Sequence, residues 1–73
     1  MMKKIKKIKI QVNGKISHIK DNINLQELVN KLKIPIKKVA IELNQEIVDK
    51  NKLKKYNLKK KDKIEIVHFI GGG

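Results

Sequence analysis

The segment "KIKIQVNGKISHI", residues 7–19, determines how the fold begins. Apolar residues alternate with polar ones in its first half, which is the period of a strand with one buried face; the apolar positions are Ile8, Ile10 and Val12. Asn13 and Gly14 follow, and this dipeptide is the strongest short signal for a tight hairpin turn. The sequence therefore predicts a β-hairpin whose returning strand turns either Ile16 or Ile19 inward.

A helix is predicted within "DNINLQELVNKLKIP", residues 21–35. Its apolar residues fall at i, i+3, i+4 and i+7 and form one stripe; they are Leu25, Leu28, Val29 and Leu32. Asn24 is a suitable N-cap, and Glu27 stands where a capping box needs it. We expect Pro35 to end the helix, because a proline disfavours helical geometry at the residue before it, Ile34.

The second half of the chain reads as strands around one loop. Residues 39–43 alternate, Asn44-Gln45 forms a plausible tight turn, and residues 46–48 make a short edge strand. A loop or single helical turn packs down next through its apolar residues, which are Leu53, Tyr56 and Leu58. The last strand is "KIEIVHFI", residues 63–70. The order β-β-α-β-β-β predicts an α+β fold in which one main helix covers one face of a mixed sheet of four to five strands.

Size and composition restrict the chemistry. A chain of 73 residues makes one domain with little room for an enclosed active site, so a binding or carrier module is expected rather than an enzyme. There is no cysteine, and His18 and His68 are too few for a zinc site, so neither a metal nor a bound cofactor is predicted. His68 is expected to be a partly buried structural residue or an interface contact.

The net charge of +12 raises a second class of function, a lysine-rich nucleic-acid-binding module. All 19 basic residues are lysine, and Tyr56 and Phe69 are the only aromatic residues, which are too few for a base-stacking platform. We therefore expect no nucleic-acid partner, and a positive surface that steers encounter with an acidic protein. Lysines interrupt every short apolar run, so we predict no signal peptide, no membrane contact and a cytoplasmic location.

The chain resembles a known family at two places. "IELNQEIV", residues 41–48, and "KKDKIEIVHFIGGG", residues 60–73, are similar to the ThiS sulfur-carrier proteins of thiamine biosynthesis, which have a ubiquitin-like β-grasp fold. The resemblance runs over almost the whole chain and is most specific at the C-terminus. Lys61 stands where the family often has glycine. Asn44-Gln45 stands where the family commonly has Asn-Gly.

This resemblance implies a fold with the last strand central and parallel to the first. It implies that the Gly73 carboxylate is adenylated by an E1-like adenylyltransferase of the ThiF type, which uses ATP. Sulfur from a cysteine desulfurase relay then gives a thiocarboxylate, and thiazole synthase of the ThiG type accepts the sulfur. Two readings with the same tail chemistry stay open: the sulfur carrier of molybdopterin synthesis, and a ubiquitin-like protein modifier.

The ending fits such a role chemically. A terminal carboxylate has a pKa of about 3.3–3.7, so at neutral pH it is an anion that can attack phosphorus but is a poor electrophile until it is activated. We expect residues 1–70 to form a monomeric domain and residues 71–73 a flexible tail. Gly71 and Gly72 would thread into partner active sites, because residues without a Cβ fit a narrow channel.

A docking patch is predicted beside this tail. Alternation along the last strand places Val67 and Phe69 on the face opposite Ile64 and Ile66. One helix covers only one sheet face, so this apolar pair is expected to be exposed and, with Ile70, to contact the partner.

Overall fold

A computed structural model describes residues 6–69 of the chain. It contains five strands, one α-helix and two short 3₁₀ segments, Ile36–Lys38 and Lys50–Lys55. The strands and helix in chain order are β1 Lys7–Val12, β2 Lys15–Lys20, α1 Leu25–Lys31, β3 Val39–Leu43, β4 Glu46–Ile47 and β5 Lys63–His68. No helix within residues 6–69 is long and apolar enough to cross a bilayer.

The five strands form one mixed sheet in the order β2-β1-β5-β3-β4. Strand β5 is parallel to β1 and antiparallel to β3, so the last strand of the chain lies at the centre of the sheet. The predicted α+β class and the central, parallel placement of the last strand are confirmed, and β4 is the predicted short edge strand.

Both hairpin turns have the geometry of a type I′ turn, in which two successive residues have positive φ. The first has φ of 50° at Asn13 and 81° at Gly14, and the second has 52° at Asn44 and 73° at Gln45. Lys61 also lies in the left-handed region, at φ 72°. Gln45 and Lys61, the two departures from the family pattern, therefore both have the positive φ that glycine adopts readily.

The first hairpin resolves the alternative that the sequence left open. Ile19 is 2% exposed and belongs to the core, whereas Ile16 is 57% exposed on the opposite face. The register pairs Ile8 with Ile19, and the side chains of such directly opposed residues share one face of the sheet.

The helix begins as predicted and ends earlier. Asn24 and Glu27 form the capping box: Asn24 Oδ1 accepts from the Glu27 N–H at 2.9 Å, and Glu27 Oε1 accepts from the Asn24 N–H at 3.3 Å. At the other end, Lys33 has φ 55°, and the N–H groups of Lys33 and Ile34 donate to the carbonyls of Asn30 and Val29. This Schellman motif ends α1 at Lys31.

The prediction that Pro35 ends the helix is therefore wrong, because the chain has already left helical geometry at Lys33. Leu32 is the C-cap residue at the end of the helix, and its side chain is 44% exposed. The apolar stripe that α1 buries consists of Leu25, Leu28 and Val29.

The core lies between α1 and one face of the sheet. Its strand residues include Ile10, Ile19, Val39, Ile41 and Ile64, all at most 2% exposed. The segment before β5 closes the remaining side, with Leu53 and Leu58 each 3% exposed and Tyr56 partly buried, as predicted. The other face of the sheet has no helix on it within the described residues.

Candidate functional site

The candidate site is the end of β5, where the chain leaves the sheet toward its last residues. Strand β1 runs beside β5 only as far as Ile64, whereas β3 runs beside it as far as His68. The Phe69 N–H then donates to the Lys38 carbonyl at 2.9 Å. The final part of the strand is thus held from the β3 side, and the chain departs from a defined point.

Two asparagine side chains hold β5 along its length. Asn13 Oδ1 accepts from the Ile66 N–H at 2.7 Å, and Asn44 Oδ1 accepts from the Lys63 N–H at 2.9 Å. Asn44 Nδ2 also donates to Asp62 Oδ1 at 3.0 Å, which ties the second hairpin turn to the turn before β5. Sequence reasoning identified both asparagines as turn residues and missed these contacts, which join residues up to 53 positions apart.

The apolar pair predicted on the uncovered face of the sheet is exposed. Val67 and Phe69 are each 54% exposed, and Val67 lies directly opposite Ala40 of β3. Ile47 on the edge strand is 77% exposed. The predicted exposure of Val67 and Phe69 is confirmed, and their docking role stays a prediction.

Two carboxylates accompany this patch. Glu42 and Glu65 occupy opposed positions of β3 and β5, and Glu42 is also opposed to Ile47. Because the chain as a whole is strongly basic, this part of the sheet differs from the average surface in carrying apolar and acidic side chains together.

The position of His68 corrects one expectation. Its side chain is exposed, so the expectation of a partly buried structural residue is wrong. It lies opposite Val39, at the edge of the covered face and beyond the part of β5 that pairs with β1. An interface contact stays a prediction for this residue.

The remaining predicted site residues, Ile70, Gly71, Gly72 and Gly73, lie outside the described residues. Within residues 6–69 no three histidine, aspartate or glutamate side chains come together as metal ligands. The described part of the site can present a strand end and an apolar surface.

Comparison with known proteins decides the family. The family model described as "ThiS family" matches residues 5–73. The chain belongs to the ThiS family. The sulfur carrier protein ThiS of Bacillus subtilis is 40% identical to this chain over 65 residues, which cover 88% of this chain and 98% of the relative. This confirms the predicted function, a sulfur carrier of thiamine biosynthesis.

A solved structure of a relative has the same fold. The crystal structure of the thiamine biosynthesis protein ThiS from Geobacter metallireducens superposes with a TM-score of 0.80 at 32% identity, covering 90% of this chain and all of the other. The predicted ubiquitin-like β-grasp fold is thereby confirmed.

A second kind of relative is longer. A thiazole synthase of Paramagnetospirillum magneticum is 36% identical over 66 residues, which cover 90% of this chain and 20% of the relative. A segment similar to nearly the whole of this ThiS-family chain is therefore part of a polypeptide described as a thiazole synthase.

Proposed function

We propose that the Gly73 carboxylate is the sulfur-carrying group, and that it is activated by an E1-like, ATP-using adenylyltransferase of the ThiF type. The observation that carries this proposal is the family match, which extends through residue 73 and so includes the glycine tail. The chain itself acts as a protein cosubstrate and not as an enzyme. ATP is consumed by the partner, and we place the reaction in the cytoplasm, where ATP is available.

The proposed steps follow from carboxylate chemistry. A carboxylate oxygen attacks the α-phosphorus of ATP and releases pyrophosphate, which leaves an acyl adenylate. A sulfur nucleophile then attacks the carbonyl carbon, and the bond to AMP breaks. With sulfide as the nucleophile, the products are the thiocarboxylate, AMP and a proton. In the cell we propose that a cysteine desulfurase relay supplies the sulfur as a persulfide. Its terminal sulfur displaces AMP to give an acyl disulfide, and a thiol then cleaves the S–S bond, which releases the thiocarboxylate and leaves a disulfide.

The geometry of the strand end supports delivery of this group. Four residues follow Phe69, and an extended chain spans about 3.3–3.6 Å per residue, so the carboxylate can reach roughly 13 Å beyond the sheet. The three glycines carry no side chains that would have to pass through a channel. Gly71 and Gly72 are therefore the proposed threading residues.

The docking surface is proposed to be Val67, Phe69 and Ile70. Val67 and Phe69 are both exposed, and the register of β5 with β3 places Val67 on the face that the helix leaves open. Burying exposed apolar side chains in a partner would provide affinity close to the reacting end, and aromatic anchors often dominate such interfaces.

Thiazole synthase of the ThiG type is the proposed sulfur acceptor. The support is the relative described as a thiazole synthase, which contains a segment similar to this chain. Domains joined in one polypeptide have a high effective concentration for each other, which favours pairs that act together.

Intact mass spectrometry tests the activation. The chain is incubated with an E1-like enzyme from the same genome, ATP and sulfide, and we expect a mass increase equal to the replacement of one oxygen by sulfur, located at Gly73. A chain lacking Gly73, or carrying one added residue after it, should stay unmodified. An unchanged mass with an enzyme that is active on another carrier would refute the proposal.

A further inference from the structure

Lys50 differs from the solvated lysines that dominate this surface. It is partly buried at the start of the 3₁₀ segment that follows β4. Its main chain is fixed from both sides, because Val48 and Leu53 are buried at 5% and 3% exposure. The N-cap residue Asp49 accepts from the Asn51 N–H at 2.9 Å, which holds the turn that presents Lys50.

The ammonium group of Lys50 points at the strand end and not at water. Its Nζ donates to the carbonyl of Ile36 at 3.0 Å and to the carbonyl of Val39 at 2.7 Å. The same Nζ lies 5.2 Å from the centroid of the Phe69 ring, within the range of a cation–π interaction. An ammonium has three N–H donors, so two serve the carbonyls and one is left for the ring face.

The segment between these carbonyls also holds the backbone of Phe69. The Lys38 carbonyl accepts from the Phe69 N–H at 2.9 Å. Residues 36–39 therefore bind Lys50 through two carbonyls and Phe69 through a third. Lys50 stabilises this segment and at the same time attracts the aromatic ring, so that both the main chain and the side chain of Phe69 are held.

We propose that Lys50 is a positioning residue that fixes Phe69 and thereby the point and direction from which the glycine tail leaves the domain. The inference rests on the proposed function, because positioning matters only if the tail enters a partner's active site. Lys50 acts through Phe69, four residues before Gly73, and takes no part in the chemistry. Pre-organising the strand end lowers the entropy that must be lost when the tail is captured.

The decisive variants separate charge from packing. Lys50→Met keeps a long apolar stem but removes the donors and the cation, whereas Lys50→Arg keeps both. Lys54→Met is the matched control, since Lys54 is an exposed lysine of the same segment and loses the same charge. Phe69→Leu removes the ring and keeps an apolar side chain.

Two measurements are made on each variant of the full-length chain. NMR records amide hydrogen exchange at residue 69 and the ring-current shift of the side-chain protons at position 50. Steady-state kinetics with the E1-like enzyme, ATP and sulfide separates KM for the carrier from kcat. For Lys50→Met we expect roughly tenfold faster Phe69 exchange and a KM raised several-fold, with kcat little changed at saturation.

Lys50→Arg should restore most of the wild-type KM, and Phe69→Leu should abolish the ring-current shift. The proposal is overturned if Lys50→Met matches Lys54→Met in both Phe69 exchange and KM, or if it merely lowers the melting temperature with KM unchanged. Failure of the wild-type chain to be activated would instead refute the proposed function, and the NMR data alone would then decide whether Lys50 holds Phe69.

Discussion

Asn13 and Asn44 lie on opposite sides of β5, and each accepts a hydrogen bond from a backbone N–H of that strand through its side-chain oxygen. Each asparagine is also the first of the two central residues of a type I′ turn, at φ 50° and 52°. The two hairpin turns therefore do more than reverse the chain. They bind the central strand at Ile66 and Lys63, on the sides of β1 and β3, and so hold the element that carries the tail.

Replacing Asn13 by glycine tests this clamp. Glycine accepts the positive φ but has no oxygen to offer to Ile66, so we expect a loss of about 1 kcal/mol in the free energy of unfolding. The Ile66 amide should exchange faster with solvent, measured by NMR, than neighbouring β5 amides. Asn13→Asp keeps an acceptor and serves as control. Unchanged Ile66 exchange in Asn13→Gly would show that the contact contributes nothing.

Gln45→Gly is expected to stabilise the protein. Gln45 has φ 73°, a conformation that costs a residue with a Cβ roughly 1 kcal/mol and costs glycine almost nothing. The gain in unfolding free energy, read from urea denaturation, should be about 0.5 kcal/mol, because the greater entropy of unfolded glycine offsets part of the relieved strain. Gln45→Ala removes the side chain but keeps the Cβ. If alanine stabilised as much as glycine, backbone strain would not be the cause.

Lys61→Gly should act in the same way at the turn before β5. Lys61 has φ 72°, and its N–H donates to the Lys9 carbonyl at 2.8 Å, so the backbone geometry is held in place. We expect a rise in the melting temperature that corresponds to about 0.5 kcal/mol, because the entropy of unfolded glycine again offsets part of the relieved strain. Lys60→Gly removes the same charge at a position outside the left-handed region and should lower stability slightly. Equal effects of the two substitutions would attribute the change to charge.

Leu28 and Leu32, which the sequence placed on one apolar stripe, should respond differently to substitution. Leu28 is 1% exposed, so Leu28→Ala should lower the unfolding free energy by about 2–5 kcal/mol through the lost burial and the cavity left behind. Leu32 is 44% exposed, and Leu32→Ala should cost less than about 1 kcal/mol. Denaturant titration of both variants measures the difference. A large loss from Leu32→Ala would mean that the helix continues past Lys31.

Phe69→Ala should weaken binding to the activating enzyme by about tenfold or more, because an exposed aromatic residue next to the tail would be an anchor of the interface. Isothermal titration calorimetry with the activating enzyme, in the absence of ATP, measures the dissociation constant. Ile16→Ala is the matched control, since Ile16 is similarly exposed, at 57%, but lies near the first hairpin turn. Equal weakening by both variants would argue for a nonspecific apolar contact.

Local signals in the sequence were reliable wherever a few neighbouring residues determine the structure. The Asn13-Gly14 turn, the capping box of Asn24 and Glu27, and the alternation along residues 39–43 and 63–68 all appear as predicted. Each depends on contacts within about four residues or on a fixed period, so the chain alone contains the information.

Predictions failed for the end of the helix and for the exposure of Leu32 and His68, because these depend on more than one local sequence pattern. Helical periodicity assigned Leu32 to the core, but Leu32 is the C-cap residue, where the helix ends, and its side chain is 44% exposed. His68 was expected to be partly buried because it alternates with core residues. Its exposure follows from its place at the end of the central strand, where β1 no longer lies alongside.

The sequence by itself determined the strand and helix order, the two tight turns, the family and the glycine ending. Only the tertiary structure decided which residues hold the end of β5, from which the chain continues into the glycine tail. The bonds from Asn13 to Ile66 and from Lys50 to the carbonyls of Ile36 and Val39 join positions that are distant along the chain. Such contacts exist because the fold brings these segments together, and no periodicity or short motif records them.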